Sequence, residues 1–296
     1  MRLLLLSTSI LTMSGLAAHA LSVTTSTDAN DFISGLSVGG GVSVVAGSAT
    51  YVGADNQGGT YSGFSLSNGT DSVNIGDGIV LTSGDATGIV VPSNTDPSFD
   101  GILDTPGDAD LDNLSGAPTF DASSLSFKIS ADADVTAVSA TFVFATDEFP
   151  DQSVPDIFGF FVDGVNYAEF SDGSLINFDL GSISAGFFLD NDVSTSPQFT
   201  DSSGNGFQYD GLTSVLTVTG ILGTPDADGN HHVKIGIADT DDRVFDSSVF
   251  LANFSGESGG GHGGGGITPP AIPLPAGLPL LLAGLGALAV LRRRAA

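Results

Sequence analysis

The sequence contains no cysteine, no tryptophan and few basic residues. Without cysteine no disulfide can form, so a folded domain of this sequence depends on core burial or on a bound metal. All 34 acidic residues lie between residues 21 and 257, where the basic residues are only Lys128, Lys234 and Arg243. This body therefore carries a net charge of −31. Such a surface repels phosphate backbones, which argues against nucleic acid as a partner.

The acidic residues are almost all aspartates, and they accompany 41 glycines. Both residue types favour turns, and apolar residues alternate with polar ones between these turns. In "SLSFKIS" the alternation places Leu125, Phe127 and Ile129 on one face. Strict alternation is typical of antiparallel strands with one buried face and one wet face. The pattern predicts an all-β domain, an antiparallel two-sheet β-sandwich of jelly-roll-like type.

Helix signals are few. "TDANDFISGL" can form a short helix capped by Thr27 or Asp28, and "DADLDNL" can form another. The spacing of Asp108, Asp110 and Asp112 resembles the start of an EF-hand loop. Asn113 stands where that loop needs glycine, so we interpret the segment as a turn with a helix cap.

The first twenty residues have the pattern of a signal peptide. Arg2 precedes a leucine-rich stretch, and the small residues Ala18 and Ala20 form an A-x-A end. This pattern predicts an N-terminal apolar helix in residues 1–20, export, and cleavage after Ala20.

The other end of the chain changes composition abruptly. Residues 257–271 form a predicted Gly/Pro-rich linker, and residues 272–296 contain an apolar run that ends in arginines. We predict a transmembrane helix over about residues 276–291. The arginines would stay on the cytoplasmic side and leave the body outside.

The end of the chain resembles a known sorting signal. The pattern is "IPLPA", an apolar run and then a basic cluster, formed by Ile272, Pro273, Leu274, Pro275, Ala276, Arg292, Arg293 and Arg294. It is similar to the VPLPA-type (PEP-CTERM-like) C-terminal signals of Gram-negative bacteria, with Ile in place of the first Val. The resemblance implies an exosortase-type processing partner, a temporary hold in the membrane, and transfer to the cell surface or matrix.

The body has a resemblance of its own. "PGDADLDNLSGAPTFDASSLSFKI", "FVFATDEFPD", "DIFGFFVDGVN" and "HHVKIGIADTDDRVFDSSVFL" occur in this order. Together they resemble the choice-of-anchor L domain of bacterial surface proteins, which we place at residues 21–256. The resemblance implies surface attachment and supplies no biochemical activity.

Clustered acidic residues near strand ends suggest calcium, which prefers six to eight oxygen ligands. One cluster follows the strand that contains Phe144, and another lies between two late strands. We predict a Ca²⁺ site formed by Asp147, Glu148, Asp239 and Asp246. The competing interpretation is that both clusters are solvated turns.

Catalysis has little support in the sequence. The body contains only His231 and His232 as histidines, and no H-E-x-x-H zinc motif occurs. We therefore expect a non-enzymatic structural or adhesive surface protein, with exopolysaccharide or another surface protein as its partner. Two alternatives stay open: a secreted carbohydrate-binding protein or carbohydrate-active enzyme, and a periplasm-facing protein held permanently in the inner membrane.

Overall fold

The computed structural model describes residues 19–150, 154–179, 185–259 and 266–268. Two short helices begin where the sequence predicts caps. Helix α1 (Ala29–Gly35) follows Asp28, whose side chain accepts a hydrogen bond from the main-chain N–H of Asn30. Helix α2 (Ala109–Ser115) follows Asp108 in the same way. The interpretation of Asp108 as a helix cap is confirmed.

Most of the described chain is β-strand. The strands are β1 (Ser22–Thr25), β2 (Val42–Val44), β3 (Thr50–Val52), β4 (Gly58–Ser67), β5 (Ser72–Thr82), β6 (Val90–Val91), β7 (Thr119–Ala131), β8 (Val135–Thr146), β9 (Ile157–Val162), β10 (Val165–Asn166), β11 (Phe188–Asp190), β12 (Gly206–Phe207), β13 (Gly211–Thr213), β14 (Leu216–Ile221), β15 (His231–Thr240), β16 (Ser247–Ser258) and β17 (Gly266–Thr268).

The strands pair into two large antiparallel sheets. The first runs β1-β4-β5-β16-β8-β13-β11, with β14 also beside β8 and β17 beside β14. The second runs β10-β9-β15-β7-β2, with β3 also beside β7. A small pair joins β6 and β12. The predicted all-β class and antiparallel pairing are confirmed.

The main core lies between the two sheets. Phe142 of the first sheet and Phe158 of the second have ring centroids 5.2 Å apart. Phe127, Phe254 and Ile235 are buried in the same cluster. Each buried side chain of this size stabilises the fold by about 1.5–3 kcal/mol. The core thus holds the two sheets face to face without a disulfide.

The outer face of the first sheet is also buried, which differs from the expectation of one wet face. A second apolar cluster covers it, and there Phe250 of β16 packs against Phe207 with a centroid distance of 5.8 Å. Val143 of β8 and Tyr209 belong to the same cluster. Segments distant in sequence supply this cover, so alternation alone could not reveal it.

Several predicted features lie outside the described residues: most of the signal peptide, the transmembrane helix and the whole sorting signal. Across the segments that the structure does describe, no helix is long and apolar enough to cross a membrane. Six residues of the predicted linker are described: Glu257 and Ser258 belong to the end of β16, Gly259 follows, and residues 266–268 form β17, which pairs with Thr217–Thr219 of β14.

Candidate functional site

Five acidic residues lie at neighbouring strand ends at one end of the sandwich, and we call them the carboxylate cluster: Asp121, Glu148, Asp156, Asp239 and Asp246. In the first sheet Thr146 of β8 pairs with Ser247 of β16, so Glu148 and Asp246 lie just beyond these paired ends. The main-chain N–H of Asp147 donates to the carbonyl of Asp246 at 3.1 Å, which holds the two loops together.

The second sheet supplies the other three members. Ile157 of β9 pairs with Ala238 of β15, which places the neighbouring residues Asp156 and Asp239 at the same level. Asp239 in turn pairs with Phe120 of β7, the residue before Asp121. The cluster therefore bridges the two sheets.

All five carboxylates are buried, with at most 2 % of each residue exposed. The close packing extends to the main chain at Gly84, where an added Cβ would lie 1.6 Å from Oδ2 of Asp246. The burial of Glu148, Asp239 and Asp246 differs from what solvated turns would show, whereas Asp241 in the same connection is exposed. An ionised carboxylate is costly in such surroundings unless charges or hydrogen bonds compensate it.

Several of these buried oxygens have no hydrogen-bond partner. They are Oδ2 of Asp121, both carboxylate oxygens of Asp156, Oδ1 of Asp239 and Oδ2 of Asp246. The hydroxyl of Ser247 lies near Asp156 but donates to Oγ1 of Thr146 at 2.8 Å. Buried polar groups normally have partners, so these orphaned oxygens point to a missing one.

The electrostatics of the cluster are strongly unfavourable for ionisation. Burial, followed by the charge of Asp100, raises the pKa of Asp246 to about 7. Burial and neighbouring acids also raise the pKa values of Glu148, Asp156 and Asp239. Desolvation is the largest cause in each case, and repulsion between the acids adds to it.

Asp147 differs from the other members of the predicted ligand set. Its Oδ1 accepts a hydrogen bond from the main-chain N–H of Asp210 at 3.0 Å, and its Oδ2 accepts one from the N–H of Phe99. Burial raises the pKa of Asp147 to about 8, and the charge of Asp210 adds to this rise. Asp147 thus joins two loops, and its role as a metal ligand stays a prediction.

The structure brings Glu148, Asp239 and Asp246 together, as the sequence suggests, and adds Asp121 and Asp156. As the side chains are placed, no three Asp, Glu or His residues of the described segments converge as a metal-binding group. The sequence alone does not mark Asp121 and Asp156 as members of the cluster, because neither belongs to a run of acids. The available signal was Asp156 standing directly before the apolar run "IFGFFV".

A separate groove of about 380 Å³ lies on the outer face of the second sheet. Its lining includes Lys128 and Lys234, two of the body's three Lys and Arg residues, together with His232, Phe161 and Ser126. Both lysines are paired with acids: Lys128 with Asp226, and Lys234 with Asp108 and Asp110.

Fold and cluster together define an acidic, disulfide-free antiparallel β-sandwich with buried carboxylates at one end. The family model of the Choice-of-anchor L domain matches residues 22–256, and the chain belongs to this family. It is therefore a surface-associated protein, and the resemblance seen in the body of the sequence is confirmed. No curated protein and no solved structure matches the chain.

Proposed function

We propose that this surface-associated protein is exported, has a structural or adhesive role, and is stabilised by Ca²⁺ at the carboxylate cluster. The role proposed is not catalytic. The observation that carries the proposal is the set of buried carboxylate oxygens without hydrogen-bond partners, above all the two oxygens of Asp156. An ion bound there would supply the partner that these oxygens need.

The donor chemistry favours calcium over other common metals. The cluster offers only oxygen atoms, and neither histidine nor cysteine is among its members. Hard cations prefer such ligands, and Ca²⁺ accepts irregular arrangements of carboxylates and carbonyls more readily than Mg²⁺. Glu148, Asp156, Asp239 and Asp246 would hold the ion, with Asp121 beside them. Asp147 would keep the adjoining loops in position.

The position of the cluster explains how an ion would serve a structural role. Its ligands come from both sheets, so the ion would tie the β8–β9 and β15–β16 connections to the strand ends beneath them. A surface protein without disulfides gains rigidity from such a cross-link.

Thermal unfolding of the full-length chain in mild detergent tests this proposal. Millimolar Ca²⁺ should raise the unfolding midpoint by about 5–10 °C over the midpoint in EDTA, because a ligand that binds only the folded state stabilises it. An unchanged midpoint would contradict the calcium proposal.

The sorting part of the proposal rests on the sequence of the tail. We propose that an exosortase-type enzyme removes the tail, and that the body then reaches the surface or the extracellular matrix. The mass of the mature C-terminus tests this step. A protein that keeps Arg292, Arg293 and Arg294 would instead be anchored permanently in the inner membrane.

A second candidate function is binding of an exopolysaccharide in the groove on the second sheet. The observation in its favour is that Lys128 and Lys234 line this groove in an otherwise acidic body. A glycan array that includes uronate-containing polymers would test it, with Lys234→Met as the variant that should lose binding. An array without any signal would remove this candidate.

A further inference from the structure

Leu21 is the first residue after the predicted cleavage site, and its main-chain nitrogen lies 2.9 Å from Oδ2 of Asp201. Leu21 is only 3 % exposed and Asp201 only 6 %. Strand β1 begins at the next residue, where Ser22 pairs with Ser62 of β4. Apolar packing and sheet pairing therefore fix the position of this nitrogen.

Asp201 is a buried carboxylate without a cationic partner among the described residues. Its Oδ1 accepts hydrogen bonds from the main-chain N–H groups of Ser203 at 2.8 Å and Asn205 at 3.0 Å. Its Oδ2 accepts from Nδ2 of Asn205 at 3.0 Å and from Leu21. All these donors are neutral in the uncleaved chain.

The same loop occurs a second time in the chain, and there the second oxygen meets a cation. Oδ1 of Asp226 accepts from the main-chain N–H groups of Asp228 at 2.9 Å and Asn230 at 3.0 Å. Oδ2 of Asp226 lies 2.8 Å from Nζ of Lys128. In both loops, "DSSGN" and "DADGN", Oδ1 of the aspartate accepts hydrogen bonds from the same two main-chain positions. The loops differ at Oδ2, which contacts the neutral main-chain nitrogen of Leu21 in the first and the ammonium group of Lys128 in the second.

We propose that cleavage between Ala20 and Leu21 creates an α-ammonium group that pairs with Asp201 as Lys128 pairs with Asp226. A signal peptidase would hydrolyse the peptide bond with one water molecule. The released signal peptide would end in the carboxylate of Ala20, and the amine of Leu21 would take up a proton at neutral pH. Removal of the signal peptide would thereby complete an ion pair within the fold.

This inference is independent of calcium and of the sorting signal, because neither Leu21 nor Asp201 belongs to the carboxylate cluster or to the tail. A charge-assisted hydrogen bond is roughly twice as strong as a neutral one. Cleavage would therefore stabilise the docked β1, and the precursor would be the less stable form.

The test compares two forms of the full-length chain: the exported form, and a precursor made in the cytosol that keeps residues 1–20. The mass of the exported form should place its N-terminus at Leu21. Its unfolding midpoint should exceed that of the precursor by about 2–4 °C. Asp201→Asn should abolish this difference, whereas the matched variant Asp226→Asn should lower both forms equally and preserve it.

Chemical labelling gives a readout that does not depend on unfolding. The α-amine reacts with acylating reagents only when it is unprotonated, so a pKa raised by one unit slows labelling about tenfold. The exported wild type should be labelled about tenfold more slowly at pH 7 than its Asp201→Asn variant. A different N-terminus, equal midpoints of the two forms, or equal labelling rates would overturn the inference.

Discussion

Nη1 of Arg243 lies 3.0 Å from Oδ1 of Asp121, and among the described residues this is the only ion pair that the carboxylate cluster makes. The guanidinium also sits over the ring of Phe120, 4.5 Å from its centroid. One cation thus faces five buried carboxylates. The other four carboxylates have no ion pair, so protons or a metal ion must neutralise them.

Replacing Asp156 should separate charge repulsion from metal binding. Asp156→Asn removes a buried acid that must either stay charged or take up a proton in the metal-free fold, so the metal-free protein should unfold about 2–4 °C higher than the wild type in EDTA. The same change removes a proposed ligand, so the rise in midpoint caused by Ca²⁺ should shrink by at least half. Differential scanning calorimetry in EDTA and in Ca²⁺ measures both effects.

Asp134→Asn is the matched control for Asp156→Asn. Asp134 is exposed in the turn that joins β7 of the second sheet to β8 of the first, at the end of the sandwich away from the cluster. The variant changes the net charge equally and should leave the calcium response unaltered. If the two variants behave alike, the response comes from net charge and not from the cluster.

The metal-free protein should lose stability as the pH rises. The pKa of Asp246 is raised to about 7 and that of Asp147 to about 8, chiefly by burial, whereas unfolded aspartates titrate near 4. Between these values the folded state binds more protons than the unfolded state, so stability falls with increasing pH. We expect the midpoint in EDTA to fall by at least about 3 °C from pH 5 to pH 8.

Calcium should largely remove this pH dependence, because the ion replaces the protons on the carboxylates. Midpoints measured across the pH range with and without Ca²⁺ would show it. A midpoint in EDTA that is constant or rises over this range would mean that the cluster is compensated in some other way.

Asp147→Asn tests whether Asp147 joins loops or binds metal. The new amide group cannot accept from both Phe99 and Asp210, so one buried N–H loses its partner. We expect a loss of about 1–3 kcal/mol in the free energy of unfolding, measured with urea in EDTA and in Ca²⁺ alike. A calcium response that disappears in this variant would instead make Asp147 a ligand, as the sequence predicts.

The sequence was informative where the physical cause is local. The caps at Asp28 and Asp108 precede their helices, and "SLSFKIS" and "HHVKIGIAD" lie within β7 and β15. Strand β4 carries no comparable local signal, because its glycines resemble turn signals. Gly59 is needed there for close approach, since an added Cβ would lie 2.0 Å from the carbonyl oxygen of Thr24.

The candidate site was only partly predictable, for a different physical reason. Glu148, Asp239 and Asp246 lie near strand ends, where clustered acidic residues indicate a metal site. Asp156 and Asp121 join them only through pairing between strands that are distant in sequence. The burial that distinguishes the cluster from solvated turns also depends on tertiary packing, which local composition does not encode.

Calorimetric titration of Ca²⁺ into the metal-free full-length chain at neutral pH measures binding at the carboxylate cluster itself. We expect saturable binding that Asp134→Asn preserves and Asp156→Asn abolishes or weakens at least tenfold. Absence of saturable binding, or binding that the Asp156 variant leaves unchanged, would contradict a calcium site at the carboxylate cluster.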